Sequence, residues 1–236
     1  RLYHPIRYYM ETLALQSRRC NVVACGYSVA NAQQSRVGRR KKIEVIPNAM
    51  SVLPDLPPLE RQKLRSSLTK RDEGVILITV GRLIPDKGYS DMLIAFEKIS
   101  RTNPEVSLLI VGNGDLKDTL QEQIRSLGIE GRAFLLGPQD DIPSLLSASD
   151  MYISASHREG MSMSLLEAMA AGLPTVTTDV GDASMMFTDA TGILVEPHNP
   201  DHLADAVNAL LSDPARMKSM GRAAREHLMA HYGLEM

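Results

Sequence analysis

The chain has 236 residues, of which 44% are hydrophobic and 23% are charged, as expected for a globular protein with a sizeable core. Its 26 Lys and Arg residues nearly balance 28 Asp and Glu residues, and the formal net charge of −2 gives no reason to expect nucleic acid as a partner. No apolar stretch is long enough to span a membrane. The basic run at residues 39–42 is interpreted as a solvated loop before a strand.

The first fifty residues differ in pattern from the rest of the chain. They contain two predicted helices and two predicted strands, at residues 7–19, 21–25, 27–36 and 42–48. A proline-rich stretch, SVLPDLPPLE, follows at residues 51–60 and has the composition of a linker. Because residues 1–50 are too few to bury a core alone, we interpret them as a remnant or the end of a preceding domain, with a decoration of the main domain as the alternative. Residues 61–236 then form the main domain.

From residue 74 onward, apolar strand-like runs alternate with amphipathic helical patterns. Strands are predicted at residues 75–80, 106–112, 132–137, 151–156, 175–179 and 191–197. Helices are predicted at residues 89–100, 115–128, 141–150, 163–172, 200–213 and 214–233. Continuous apolar strands joined by helices predict an α/β fold with a Rossmann-like parallel sheet covered on both faces. Ligands of such sheets bind at the carboxyl ends of the strands, so the residues after each strand are candidate site residues.

The loop after the strand at residues 75–80 reads GRLIPDKG and carries two cations. Gly81 permits a close turn, and Arg82 and Lys87 follow it. A guanidinium can bind two oxygens and an ammonium supplies a point charge, so the pair suits a diphosphate. Ordinary loop charges are the alternative interpretation of the same residues.

Two glycines follow the next strand, in the sequence GNGDLK. Gly112 and Gly114 form a G-x-G between a strand and a helix, which leaves room for a ligand to approach the backbone. The third glycine of a dinucleotide-binding fingerprint is replaced by Lys117, which argues against a nicotinamide cofactor and an NAD-dependent dehydrogenase. A plain turn remains an equally good interpretation.

The stretch HREGMSMSLLEAMAAGLP follows the strand at residues 151–156 and leads into a helix. Glu159 lies in the loop, and Gly160, Met161 and Ser162 approach the first helical turn, where free amides and the helix dipole attract phosphate. Glu167 lies among apolar helical residues, and its carboxylate suits a vicinal diol such as a ribose; a solvent-facing glutamate is the alternative. With the two cations at the same sheet edge, these residues predict a site for a nucleotide diphosphate sugar.

Several motifs resemble the glycosyl transferases group 1 family, which comprises retaining glycosyltransferases of the GT-B fold. The motifs are VGRLIPDKGYSDMLIAF, LLIVGNGDLKDTL, LLGPQDDIPSLLSASDMYISAS and EGMSMSLLEAMAAGLPTVTTDVG, and the resemblance runs from about Lys42 to the C-terminus. It implies two Rossmann-like domains that face a cleft. The N-terminal domain carries the acceptor site, and the C-terminal domain binds the sugar nucleotide.

The same resemblance implies roles for individual residues. Arg82 and Lys87 match the pair that binds the diphosphate, Glu159 matches the glutamate that contacts the donor sugar, and Glu167 matches the glutamate that binds the ribose. We therefore take Arg82, Lys87 and Glu159 as the candidate catalytic residues. The remaining positions implied to line the nucleotide are Gly81, Gly112, Gly114, Leu136, Ile142, Gly160, Met161, Ser162 and Glu167, of which Leu136 and Ile142 frame the base.

The family pattern is not complete in this chain. Asp182 stands where the family has the second glycine of Gly-Gly-x-x-Glu, and Met185 stands at its glutamate. Most of the N-terminal domain is also missing, so we expect the chain to bind nucleotide weakly and to transfer no sugar alone. The alternatives are a non-catalytic sugar-nucleotide-binding domain and a sugar-nucleotide epimerase of the same fold.

The sequence therefore predicts the donor-binding part of a retaining hexosyltransferase of polysaccharide biosynthesis. Its donor is a UDP-, GDP- or ADP-sugar, and its acceptor is a saccharide or a lipid-linked molecule. No cofactor and no metal are expected, because cationic side chains would stabilise the departing diphosphate. A cytoplasmic location is expected, and peripheral membrane association through the missing domain is left open.

Overall fold

The computed structural model describes residues 5–17, 20–38, 41–71 and 73–234. Residues 39–40 of the basic run and residues 18–19, where the first predicted helix ends, lie outside the described residues. Among the described helices, none has both the length and the apolar composition that crossing a membrane requires.

The first segment forms a small α/β unit. Its elements are α1 (Pro5–Gln16), β1 (Val23–Ala24), α2 (Tyr27–Val37) and β2 (Glu44–Val45). The two strands pair in parallel, and the core between them and the helices consists of four buried residues, Ala24, Ala30, Val37 and Ile43. The core of this segment is thus small, and its interpretation as the end of a preceding domain stays a prediction.

The larger unit is built on a sheet of six parallel strands. They are β3 (Val75–Val80), β4 (Val106–Val111), β5 (Ala133–Gly137), β6 (Met151–Ser154), β7 (Thr175–Thr178) and β8 (Ile193–Val195). Their spatial order is β5-β4-β3-β6-β7-β8, which confirms the predicted Rossmann-like parallel sheet. Because the chain leaves the central strands β3 and β6 toward opposite sides of the sheet, a crevice is expected between their carboxyl ends.

Helices cover both faces of this sheet. They are α3 (Pro58–Thr69), α4 (Tyr89–Thr102), α5 (Lys117–Ser126), α6 (Ile142–Ala148), α7 (Met163–Ala170), α8 (Ala183–Met186), α9 (Pro200–Leu211) and α10 (Pro214–His231). Successive residues of a strand point to opposite faces, so Leu77 packs with α4, α5 and α9 whereas Ile76 and Ile78 pack with α6, α7 and α10. The two apolar layers together form the core.

Two helices were not predicted from the sequence. Helix α3 begins at Pro58, inside the stretch predicted as a linker, and the residues before it dock on the larger unit: the amide of Leu53 donates to the carbonyl of Ala170 at 3.2 Å. The only buried residue of α3 is Thr69, so the helix lacks the apolar stripe that would have revealed it. Helix α8 has only four residues, too few for a periodic pattern.

Asp150 holds α3 against the sheet. Its carboxylate accepts from Arg61 at 2.7 Å, from Arg65 at 2.8 Å and from the amide of Ile76 at 2.8 Å. Asp150 directly precedes β6. Its charge-assisted hydrogen bonds therefore attach α3 to the sheet, whereas the other helices are attached mainly by apolar packing.

Replacing Asp150 by Ala is expected to lower the free energy of unfolding by about 2–3 kcal/mol, because two arginines and one amide lose their acceptor. Urea unfolding measures the change. The matched control is Asp205→Ala on the exposed side of α9, which should leave the midpoint nearly unchanged. Equal midpoints for Asp150→Ala and Asp205→Ala would contradict this account of α3.

Candidate functional site

The loop after β3 packs directly against the loop after β6. It contains a 3₁₀ turn at Pro85–Lys87 that ends at Gly88, whose φ is +61°. A β-carbon at Gly88 would overlap the carbonyl oxygen of Ala155, so only glycine allows the two loops to approach this closely. The carbonyl of Asp86 also accepts from the amide of His157 at 2.8 Å. The two loops are therefore held in direct contact.

Lys87 and Glu159 form an ion pair across the two loops. Their side chains are 18% and 19% exposed, so the pair is largely shielded from solvent. The ammonium also lies close to Gly81, where an added β-carbon would be 3.8 Å from Nζ of Lys87. Arg82 is exposed, and within the described part of the chain no hydrogen bond or ion pair holds its guanidinium. The site thus has one paired cation and one that is available to an anion.

Unpaired amides precede helix α7. The amides of Gly160, Met161 and Ser162 donate to no other described residue. Ser162 is the N-cap residue and has an extended backbone, and its hydroxyl lies 3.1 Å from that of Ser164. Free amides at a helix start carry partial positive charge, so this segment can bind an anion.

The two glycines after β4 have a packing reason of their own. Gly112 has φ of +139°, and a β-carbon there would overlap the carbonyl oxygen of Gly81. A β-carbon at Gly114 would overlap the carbonyl oxygen of Leu83. The glycines therefore let the β4 loop support the β3 loop, whether or not a ligand approaches them.

Glu167 lies in the middle of α7 and is half-buried. Its carboxylate has no hydrogen-bond partner among the described residues, and burial raises its pKa above the ordinary value. Nearby Tyr152 is fully buried, and its hydroxyl lies 3.3 Å from the carbonyl oxygen of Val80, at the end of β3. Burial, together with the charge of Glu167, raises the pKa of Tyr152 to about 12. A half-buried carboxylate that receives no hydrogen bond from the protein can accept hydrogen bonds from the hydroxyl groups of a ligand.

Leu136 and Ile142 lie toward the edge of the sheet that ends in β5. Leu136 is near the carboxyl end of the edge strand β5, and Ile142 is the first residue of α6. Both are partly buried and pack against the same apolar cluster. They form an apolar flank rather than part of the charged group.

The first segment makes contacts with the loops after β6 and β7 that were not predicted from the sequence. Asn48 donates through its amide nitrogen to the carbonyl of Met161 at 3.3 Å. Asp182 is buried, and its Oδ1 accepts from the amide of Ser28 at 2.7 Å, whereas its Oδ2 has no partner among the described residues. Asp182 was noticed only as a departure from a family pattern, and nothing local in the sequence connects it with Ser28, which lies 154 positions earlier.

The predicted site residues thus differ in how directly they contribute to the group of charges where β3 and β6 end. Gly81, Arg82 and Lys87 follow β3, Glu159 and the three residues after it follow β6, and the ion pair between Lys87 and Glu159 joins the two loops. The glycines support these loops from β4, and Glu167 lies within α7. Their roles toward a ligand stay predictions.

Comparison with known proteins agrees with this architecture. A family profile described as glycosyl transferases group 1 matches residues 60–227. The chain is 31% identical over 222 residues to N-acetyl-alpha-D-glucosaminyl L-malate synthase of Bacillus anthracis, covering 91% of this chain and 56% of that protein. It is 30% identical over 213 residues to a GDP-mannose-dependent phosphatidylinositol monomannoside mannosyltransferase of Corynebacterium glutamicum, covering 86% of this chain and 56% of the relative. The chain thus spans little more than half the length of these relatives.

Solved structures show the same fold. Anabaena Alr3699/HepE in complex with UDP superposes with a TM-score of 0.86 at 25% sequence identity, covering 98% of this chain and 65% of that one. Its complex with UDP-glucose gives a TM-score of 0.87 at 24% identity, with the same two coverages. The family match extends over most of the chain. The chain belongs to the glycosyl transferases group 1 family and has the GT-B type of Rossmann-like fold.

Proposed function

We propose that this chain is the donor-binding part of a retaining glycosyltransferase that uses a nucleotide diphosphate sugar. The observation that carries the proposal is the meeting of a cation, a carboxylate and unpaired amides where β3 and β6 end. Lys87 pairs with Glu159 there, and the amides of Gly160 to Ser162 donate to no described residue. The Anabaena structures with UDP and UDP-glucose support UDP as the nucleotide.

In the proposed complex, the diphosphate lies between the start of α7 and the two cations. The bond between the anomeric carbon and the diphosphate oxygen breaks, and the electron pair leaves with the diphosphate. Arg82, Lys87 and the free amides stabilise this negative charge, an effect that can contribute about 3–4 kcal/mol per donor group. The acceptor hydroxyl bonds to the anomeric carbon on the same face and gives its proton to the departing phosphate. Glu159 orients Lys87 and faces the sugar.

Glu167 is proposed to accept hydroxyl groups of the ribose. Its carboxylate is half-buried and without a hydrogen-bond donor among the described residues, and a vicinal diol supplies two donors at the required spacing. Binding would therefore satisfy a group that folding leaves unsatisfied.

The acceptor is proposed to bind on a further domain, of which residues 1–50 form the end. Two features support this. The small unit contacts the loop after β6 through Asn48 and contacts Asp182, in the loop after β7, through Ser28. Several apolar residues of α1 are also exposed, namely Tyr8, Tyr9, Met10 and Leu13. A saccharide or a lipid-linked molecule is the proposed acceptor class.

A second candidate is a non-catalytic sugar-nucleotide-binding domain. It is favoured by Asp182, which fills the position of a family glycine and is engaged with Ser28, and by Met185, which is 52% exposed at the position of a family glutamate. Incubation of the whole protein with labelled donor separates the two candidates. Release of sugar or its transfer supports the enzyme, and binding without turnover supports the second candidate.

Substitution of either cation should weaken UDP binding. Loss of one charge-assisted contact costs about 1.5–3 kcal/mol, so Arg82→Ala and Lys87→Ala are each expected to raise Kd by about 10- to 100-fold in calorimetric titration. Lys87→Ala should have the larger effect, because it also leaves the Glu159 carboxylate unpaired near the phosphates. Arg222→Ala, an exposed position on α10, is the matched control and should bind as the wild type does. Wild-type affinity in both loop variants would refute the diphosphate site.

Glu167 should make stability depend on pH. A carboxyl group whose pKa is raised by folding binds its proton more tightly in the folded state. The free energy of unfolding should therefore fall as pH rises from about 4.3, the ordinary pKa of glutamate, and level off above the folded pKa.

The measurement is the difference in unfolding free energy between Glu167→Gln and the wild type, from urea titrations between about pH 4 and pH 8. Both proteins share the same buffers, so the contributions of other groups cancel. The difference should rise in favour of Glu167→Gln with increasing pH. A difference that is constant, or that falls, would show that the carboxylate is satisfied in the folded protein.

A further inference from the structure

Three potential metal ligands from three chain segments converge behind the loop after β6. Asp91 lies in the first turn of α4, His157 follows β6, and His198 lies between β8 and α9. Nε2 of His157 is 2.8 Å from Oδ2 of Asp91, and Nδ1 of His198 is 4.0 Å from the same oxygen. The two imidazole rings stack with their centroids 3.7 Å apart. All three ligand atoms lie within 4.8 Å of one another.

The backbone at His198 is an independent reason to look at this cluster. His198 has φ of +59°, and among the described residues only Lys70 shares a positive φ without being glycine. Lys70 has an evident structural reason, since it ends helix α3. His198 instead follows Pro197 in the turn before α9, a position at which a type II turn takes a positive φ, although the left-handed conformation disfavours any residue with a β-carbon. Such outliers cluster at functional sites, because the surrounding structure must maintain them.

We propose that Asp91, His157 and His198 bind a divalent transition metal ion, with Zn²⁺ as the best match. Two imidazoles and one carboxylate form a common ligand set of Zn²⁺, whereas Mg²⁺ and Ca²⁺ prefer oxygen ligands alone. Ligands of a tetrahedral Zn²⁺ are about 3.4 Å apart, as bond lengths of about 2.0–2.2 Å require. The His198 side chain is 66% exposed, so its ring has room to turn away from His157 and close the remaining gap.

The ion would cross-link the elements that carry the loops of the candidate donor site. His157 lies two positions before Glu159, and its amide donates to the carbonyl of Asp86 at 2.8 Å. Asp91 follows the loop that carries Lys87. A bound ion would therefore fix the position of the loop after β3 relative to the loop after β6. The proposal assigns it no step in sugar transfer, and it stands independently of the proposed function.

Two alternatives to this metal site lead to different expected results. His157 and Asp91 could form a hydrogen-bonded pair only, in which case no metal binds. On α10, His227 and His231 lie one turn apart with ring centroids at 4.3 Å, so they form a competing two-imidazole site. Variants at His198 and at His231 distinguish the three cases.

The test is titration of the whole chain with ZnCl₂ by calorimetry, and with Co²⁺ by visible absorption. The wild type should bind one ion saturably, and Co²⁺ should give d–d bands of a low-coordinate nitrogen and oxygen site. His198→Gly is the informative variant, because glycine adopts the left-handed conformation without penalty and the fold is kept. It should raise Kd by more than about tenfold, since even outer-shell changes at metal sites cost 10- to 100-fold. The control His231→Ala should bind as the wild type does.

Three results would overturn the proposal. The first is no saturable binding by the wild type, which would leave the hydrogen-bonded pair only. The second is wild-type affinity and an unchanged Co²⁺ spectrum in His198→Gly. The third is loss of the site in His231→Ala, which would place the ion on α10.

Discussion

The ion pair between Lys87 and Glu159 is the contact on which the arrangement of the site depends. It joins the loop after β3 to the loop after β6 at the place where the sheet order reverses. The pair is mostly shielded from solvent, so the attraction between its two charges is screened less than in an exposed pair, while removing them from water carries a desolvation cost. A diphosphate bound there would meet charged groups that are already held in position before it binds.

Close backbone packing supports that pair. Gly88 lets the β3 loop approach Ala155, and Gly112 lets the β4 loop approach Gly81. From the other side, Asp182 in the loop after β7 accepts from the amide of Ser28 and donates through its own amide to the carbonyl of Gly160, so it links the small N-terminal unit to the loop after β6. The loop is therefore held between two units, as expected if the donor and acceptor parts of a glycosyltransferase meet at this place. That reading of the small unit remains a proposal.

Local sequence patterns predicted the fold well, and long-range contacts were beyond them. The fully buried strand Val106–Val111 is a continuous apolar run, so composition alone identified it. Helix α3 was not predicted, because it is held by ion pairs of Arg61 and Arg65 with Asp150 and not by an apolar stripe. In the site, strand ends pointed to Arg82, Lys87 and Glu159, but the pairing of Lys87 with Glu159 joins residues 72 positions apart. No periodicity encodes such a contact.

Hydrogen exchange with and without UDP, measured by mass spectrometry on this chain, tests the central claim most directly. The account predicts slower exchange in peptides that cover residues 82–88 and 159–163, because the nucleotide would bind the free amides before α7. It predicts no change at the opposite edge of the sheet, around residues 71–75 and 104–107. Slower exchange at that opposite edge alone, or no change anywhere at saturating UDP, would contradict a nucleotide site between the ends of β3 and β6.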